Sequence, residues 1–255
     1  KIPYEWVEAK KLVTKKGSTK HILLYPIEKI QYNNRNIIRK SEWKNCLRDD
    51  NYFVKKSINP EIKITPEVMR LFGLWLGDGS ISIDKDKKYY CVNFTFSAEE
   101  FDYYWDGFFE KGSKEIGIDW SIQKRKENHR VDVSTHSIEA VELFYYLFGN
   151  SKADTKYVPN RLMHISKELD FNLFIGYQFA DGHFRTRQKD GYTYGEFCSA
   201  SISERLTRDF HNILKTLGIR SSITISKEKI IDKVHHQRAY YLSGSHRAWT
   251  LVNKK

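Results

Sequence analysis

The chain has 255 residues and a formal charge of +11 at neutral pH, with 29% charged and 15% aromatic side chains. That length suits one large or two small domains, and no run of eighteen apolar residues offers a membrane-spanning helix. The cationic surplus fits a polyanionic partner, the alternative being a solvated basic face that aids solubility. Cys46, Cys91 and Cys198 are scattered, odd in number and without metal-ligand spacing, so they are expected to be buried, reduced thiols in a cytosolic protein. No charged-then-apolar leader opens the chain, so no secretion signal is expected.

Residues 1–60 form a basic extension, with fourteen Lys and Arg against six Asp and Glu. Within it, Trp6 to Leu12 reads as a short amphipathic piece, Lys15 to Lys20 as a loop, and His21 to Tyr25 as a strand ending at Pro26. Ser41 to Leu47 reads as a short helix with Trp43 and Leu47 on one face. The extension carries no catalytic grouping; it packs on the main body, holds nucleic acid, or does both.

Thr65-Pro-Glu opens a helix running to about Gly77: Thr caps, Pro fits the first turn, and Glu suits the positive end. A hairpin follows, Ser80 to Asp84 and Tyr90 to Phe96, then a Ser97-capped helix through Phe109. Trp120 to Gln123 and Arg130 to Val133 make a second hairpin, and Ser137 to Phe148 an apolar helix. The order then repeats. A helix spans 171 to 180, a hairpin His183 to Gln188 and Tyr192 to Ala200 turns at Lys189-Asp-Gly191, and a helix runs from about Ser203 to Leu217. Strands Ser222 to Lys227 and Ala239 to Ser243 follow. The repeat indicates an internal duplication and a pseudo-twofold molecule, with residues 61–165 and 166–255 as its halves.

Each half begins with the same grammar. Leu71-Phe-Gly-Leu-Trp-Leu-Gly-Asp-Gly79 is echoed, 103 residues later, by Phe174-Ile-Gly-Tyr-Gln-Phe-Ala-Asp-Gly182. On a helix, Gly73 and Gly77 share one face, as do Gly176 and Ala180. Small residues at that spacing let two helix backbones approach closely. Packed this way, the two helices set Asp78 and Asp181 side by side at their C-terminal ends. Carboxylates are disfavoured there by the helix dipole and by one another, and a shared divalent cation removes both objections. The plainer alternative makes each Asp-Gly a turn and each Gly a helix cap; two copies with the same downstream pattern favour the shared site.

In each half the hairpins form one antiparallel sheet, apolar toward the helices and polar on the other face. Ser80, Ser82, Asp84, Asn93, Thr95, Gln123 and Arg125 are the polar-face candidates of the first half. In the second they are His183, Arg185, Arg187, Lys189, Ser222, Thr224 and Ser226. Such side chains suit base edges and phosphates, and a two-stranded ribbon fits the DNA major groove; each is also an ordinary choice for a solvent-facing strand.

Together these features resemble the LAGLIDADG (dodecapeptide) homing endonucleases in their single-chain, two-motif form, over about residues 61 to 255. The resemblance implies an α+β fold of two pseudo-symmetric αββαββα halves, joined through their motif helices, with the sheets forming a saddle on double-stranded DNA. It implies that Asp78 and Asp181, with the carbonyls of Gly77 and Ala180, bind two or three Mg²⁺, with Mn²⁺ as a substitute. It also implies that a monomer cuts both strands across the minor groove, leaving short 3′ overhangs. Lys156-Tyr-Val-Pro159 is similar to the Lys-x-Ile-Pro element of intein-type members, whose Lys supports the chemistry. Lys227, Lys229, Lys233, Lys254 and Lys255 are candidates for a second such Lys. The segment Tyr4 to Leu12 also resembles the joint between an intein splicing domain and its endonuclease. With Lys at position 1 and Val-Asn-Lys-Lys at the end, no self-splicing is expected. A cytoplasmic, nucleoid-associated or organelle-matrix location is expected. The alternatives in the same fold are a DNA-binding regulator or a maturase that binds intron RNA, neither of which cuts; outside it stands a structural, protein-interaction role.

Overall fold

The computed structural model describes residues 32–33, 35–44, 46–47, 57–125, 129–150, 152–189, 192–231 and 234–246. The pieces expected at 6–12, 15–20 and 21–25 lie outside the described residues. So do the tip of the Lys189-Asp-Gly191 turn, Lys233, Lys254 and Lys255. Among the described residues no helix is long and apolar enough to cross a membrane.

The first half contains α2 (Pro66–Asp78), β3 (Gly79–Asp84), β4 (Tyr89–Ser97), α3 (Ala98–Tyr104), α4 (Glu110–Ile116), β5 (Ser121–Arg125), β6 (Arg130–Thr135) and α5 (Ile138–Phe148). Ahead of it stand β1 (Ile37–Arg39), α1 (Lys40–Trp43) and β2 (Glu61–Lys63). The second half contains α6 (Lys167–Asp181), β7 (Gly182–Lys189), β8 (Tyr192–Ser201), α7 (Glu204–Thr216), β9 (Ser221–Ser226), a short ladder of β10 (Lys229–Ile231) with β11 (Val234–His236), and β12 (Ala239–His246). The two four-stranded antiparallel sheets share one topology, β3-β4-β6-β5 and β7-β8-β12-β9. Strand register keeps the duplication exact in kind: Ser80 faces Asn93 where His183 faces Cys198, and Asn93 faces Ser134 where Cys198 faces Ser243.

The helices begin where capping chemistry allows. Thr65, Ser97, Ser137, Ser166 and Ser203 each accept a backbone N–H from the first turn of the helix that follows, satisfying a donor that has no partner inside the helix. Two helices are longer than the sequence pattern indicates. The helix capped by Ser97 does not stop at Phe109. A π-turn over Trp105–Phe109 joins α3 to α4, which ends at Gly117 in the left-handed conformation, φ 84°. The inserted turn rotates the frame so that Phe108 and Phe109 are both buried. The second motif helix starts at Lys167 rather than 171, because Ser166 caps it and its polar first turn is still helical. The β10–β11 ladder between β9 and β12 has no counterpart in the sequence reading.

Apolar alternation holds on the central strands: Val92, Phe94, Phe96, Val131 and Val133 are buried. It fades on the edge strands, where Ile122 and Ile225 are exposed. Cys91 is buried as expected, but Cys46 is exposed and Cys198 only half-buried; Cys198 lies on the open face of the second sheet, opposite His183. The described residues of the basic extension pack on the first half, beginning with Asn33, which donates to the backbone of His164 and Met163. β1 pairs with β2 across residue 60, Trp43 and Leu47 are buried, and Lys40 pairs with buried Glu139 at 2.5 Å. Helical structure stops at Trp43, short of Leu47.

Candidate active site at the helix seam

α2 and α6 cross through their small residues. A methyl group on Gly73 would meet the backbone of α6, 2.8 Å from Tyr177 N and 3.0 Å from Gly176 Cα. One on Gly77 would overlap the Ala180 methyl and stand 3.4 Å from the Asp181 carboxyl carbon. The sequence-predicted seam of Gly73, Gly77, Gly176 and Ala180 is therefore the helix contact itself. Large aromatic side chains brace it from outside, with Trp75 stacked on Phe148 and Tyr177 on Phe210, both at 4.3 Å between centroids.

Both helices end in their acid. Asp78 is the last residue of α2 and Asp181 of α6, and each is followed directly by the first strand of its sheet. Both side chains reach solvent at the mouth of the seam, although protein surrounds most of each carboxyl. Burial, then the charge of Asp181, pushes Asp78 up to about 7 against the pull of Lys156, with Glu100 adding to the rise. Burial pushes Asp181 up to about 6, again against Lys156. Carboxylates this close titrate as a pair, so the second proton leaves it less readily than the first.

Lys156 enters the seam from the loop after α5. It is 6% exposed, and its ammonium donates to the carbonyls of Gly77 at 2.7 Å, Gly79 at 2.9 Å and Trp75 at 3.2 Å. It also lies over the Trp75 ring, 5.1 Å from the centroid. A cation here neutralises the negative end of α2 and satisfies the Gly77 carbonyl at its open end, sharing Trp75 O with the capping Gly79 N–H. Burial holds Lys156 down at about 8 despite the attraction of Asp181 and Asp78. Its own loop is pinned to the second half: the Ser203 hydroxyl donates to Lys156 O at 2.6 Å, and Val158 N donates to Asp209 at 3.0 Å. The last turn of α6 is closed differently, by the Tyr104 hydroxyl donating to Phe179 O at 2.6 Å. The seam is thus symmetric in its acids and asymmetric in what caps them. Of the second-Lys candidates among the described residues, Lys227 is exposed on the loop after β9, and Lys229 opens β10.

Among the described residues no hydrogen bond or ion pair reaches either carboxylate, and no group of three or more His, Cys, Asp and Glu gathers as a cage. Two unpaired carboxylates with adjacent carbonyls form a small, hard, all-oxygen donor set. That set suits a hard divalent cation that keeps part of its water shell.

The polar faces of the two sheets start at this seam. On the first, Ser80 is exposed and donates to Asn93 at 2.6 Å, and Ser82 and Gln123 are exposed. Asp84 is spent on its own turn, accepting from Lys87 N at 3.0 Å. Thr95 donates to Asp132 at 3.2 Å, and Arg125 pairs with Asp132 at 2.8 Å. On the second, His183, Ser222 and Thr224 are exposed, and Ser226 is engaged with the backbone of Ala239 at 3.1 Å. Arg185 pairs with Glu196 at 2.7 Å. By register Arg187 pairs across the strands with Tyr194, and Lys189 with Tyr192. A groove of about 700 Å³ crosses it, lined by His183, Arg185, Cys198, Arg220, Ser222 and Ser243 among others. Arg130, Asp132, Glu196 and Arg220 did not emerge from the sequence, although stepping by two along β6 and β8 reaches the first three.

Residues 168–247 match a family model described as a LAGLIDADG-like domain. Among solved structures, the fold is similar to that of mesophilic variants of the homing endonuclease I-DmoI, with 18% identity, 73% of this chain and 92% of that chain covered, and a TM-score of 0.49. It is similar to I-DmoI in complex with DNA and Ca, at 18% identity, 73% and 87% coverage and a TM-score of 0.49. It is also similar to the LAGLIDADG meganuclease I-AabMI bound to uncleaved DNA, at 13% identity, 71% and 79% coverage and a TM-score of 0.40. No curated protein matches the sequence.

Proposed function

We propose that this chain, whose residues 168–247 match a LAGLIDADG-like family model, is a monomeric site-specific endonuclease of double-stranded DNA. The observation that carries the reading is the meeting of Asp78 and Asp181 at the adjoining ends of α2 and α6, each leading into a sheet whose open face is polar. A lone acid at a helix C-terminus is a poor arrangement for stability alone. A pair of them, with no partner of their own, is suited to binding cations.

Asp78 and Asp181, with the carbonyls of Gly77 and Ala180, would hold Mg²⁺, with Mn²⁺ able to replace it. The bound metal lowers the pKa of a water and stabilises charge on the phosphate and leaving oxygens. The protein's own part is positional. The tight crossing at Gly73, Gly77, Gly176 and Ala180 fixes the spacing of the two acids. Lys156 orients the Gly77 carbonyl and keeps a positive charge close to where the phosphate's negative charge develops. The sheets align a long duplex, and the two acids address one strand each, giving short 3′ overhangs.

The test is cleavage of a randomised duplex library in Mg²⁺ with the ends mapped. Discrete double-strand breaks at one related set of sites are expected. Tight, salt-sensitive binding without breaks would make the chain a regulator or a maturase, and no DNA affinity at all would remove the reading.

A further inference from the structure

Asp132 is out of place on a surface meant for DNA: a carboxylate in the middle of the open face of the first sheet. Its surroundings explain it. Arg125 and Arg130 are direct cross-strand partners, and like charges placed opposite each other destabilise a sheet. Asp132 lies diagonally between them and binds both. One oxygen accepts from Arg130 Nε at 2.6 Å and the other pairs with Arg125 Nε at 2.8 Å. Thr95 donates to it as well, at 3.2 Å, and Arg130 reaches the Thr95 hydroxyl at 3.3 Å. The Asp132 side chain is 15% exposed, whereas Arg125 and Arg130 are 53% and 45% exposed. Burial raises its pKa, but Arg130, Thr95 and Arg125 outweigh that and hold the carboxyl below its usual range.

Arg130 is therefore held by a hydrogen bond from Nε and Arg125 by an ion pair through Nε, and the terminal nitrogens of Arg125 make no hydrogen bond among the described residues. An arginine fixed this way has already lost rotamer freedom and offers a directed donor edge, the geometry that reads guanine O6 and N7. The duplication provides an internal control. By register the positions of Arg125, Arg130 and Asp132 are taken in the second half by Ser226, Ala239 and Tyr241. The same sheet therefore folds without the triad, so it is not a requirement of the fold.

We infer that Asp132 is a positioning residue for sequence readout: it lowers raw DNA affinity and raises discrimination by fixing Arg125 and Arg130 on the first sheet. The inference rests on the proposed DNA-binding function. Its distinctive sign is that removing a negative charge from a DNA-facing surface should weaken, not strengthen, recognition of the target.

The experiment compares wild type, Asp132→Asn and Asp132→Glu on the duplex recovered from the library and on a shuffled duplex of equal length. For Asp132→Asn the shuffled duplex should bind about two- to fivefold more tightly at low salt. The ratio of target to shuffled affinity should fall about tenfold or more, the scale of one lost bidentate contact. Asp132→Glu, which keeps the charge, should restore part of the ratio. Repeating Asp132→Asn on an Arg125→Gln, Arg130→Gln background should leave the ratio unchanged, because nothing remains to be positioned. That comparison decides the matter even if Asp132→Asn lowers the melting temperature. An unchanged ratio in Asp132→Asn, or an equal fall on both backgrounds, would overturn the inference while leaving the nuclease reading intact. A wild type that does not distinguish the two duplexes would overturn both.

Discussion

Replacing Gly176 with Ala tests whether the helix seam sets the geometry of the acids. The added methyl carbon would stand 2.7 Å from the Arg70 carbonyl carbon and 2.8 Å from its Cα, and closer still to its carbonyl oxygen. Ordinary contact begins at 3.4 Å, and all three atoms are backbone of α2, so no side chain can turn aside. Overpacking of this kind costs about 1–3 kcal/mol, and the rigidity of both partners places it near the upper end. Ala regains about 1 kcal/mol over Gly in a helix interior, leaving a net loss of about 2 kcal/mol. For a chain of this size that lowers the melting temperature by roughly 4–8 °C. The helices must also separate, and a misplacement of about 1 Å at a catalytic site costs about a hundredfold in rate. Gly107→Ala is the matched control, since nothing lies within 4 Å of its added methyl; it should leave stability and cleavage at or above wild type. Thermal melts and single-turnover cleavage of the target, run on both variants, read the two effects. A Gly176→Ala protein as stable and as active as wild type would refute the seam as the determinant.

Four further outcomes follow from the site and its supports. The metal-free protein should lose stability as pH rises from about 4 to 7. Asp78 and Asp181 have folded pKa values of about 7 and 6, both above their ordinary 3.8, so the folded state holds more protons than the unfolded one across that window. Millimolar Mg²⁺ should raise the melting temperature at pH 7.5 and do little at pH 5, where protons compete; equal effects at both would count against carboxylate ligation. Lys156→Met should reduce cleavage at least tenfold with DNA affinity nearly unchanged, because it leaves the carbonyls of Gly77 and Gly79 without their donor; a filter-binding and cleavage pair checks this. Lys40→Met should destabilise the fold by about 1–3 kcal/mol by removing the counter-ion of buried Glu139, which keeps the Ser57 hydroxyl and the Ile58 N–H as donors, read by denaturant melts, and a neutral result would mean that the extension is only loosely docked.

The elements were legible because each is marked locally. Thr65, Ser97, Ser137 and Ser203 open helices, and β4 and β6 alternate cleanly, whereas the Ser166 cap was not legible and α6 starts four residues ahead of the position the sequence pattern indicates. The seam was legible because duplication repeats its small residues and acids at one spacing. What sequence did not reveal depends on contacts between distant segments. Nothing near Lys156 indicates that its ammonium will be spent on the carbonyls of α2, 79 residues away at Gly77. Asp132 looks like a stray acid until register sets it between two arginines on neighbouring strands. The π-turn at Trp105–Phe109 follows from packing two adjacent Phe residues inward, which helical periodicity alone does not foresee.

The most direct measurement is strand-resolved cleavage of the mapped target in Mg²⁺ by wild type, Asp78→Asn and Asp181→Asn, with binding measured in parallel. Wild type should linearise a target plasmid, and both variants should bind the duplex yet yield no double-strand break. Linear product from either variant would contradict the assignment of the paired acids as the catalytic centre.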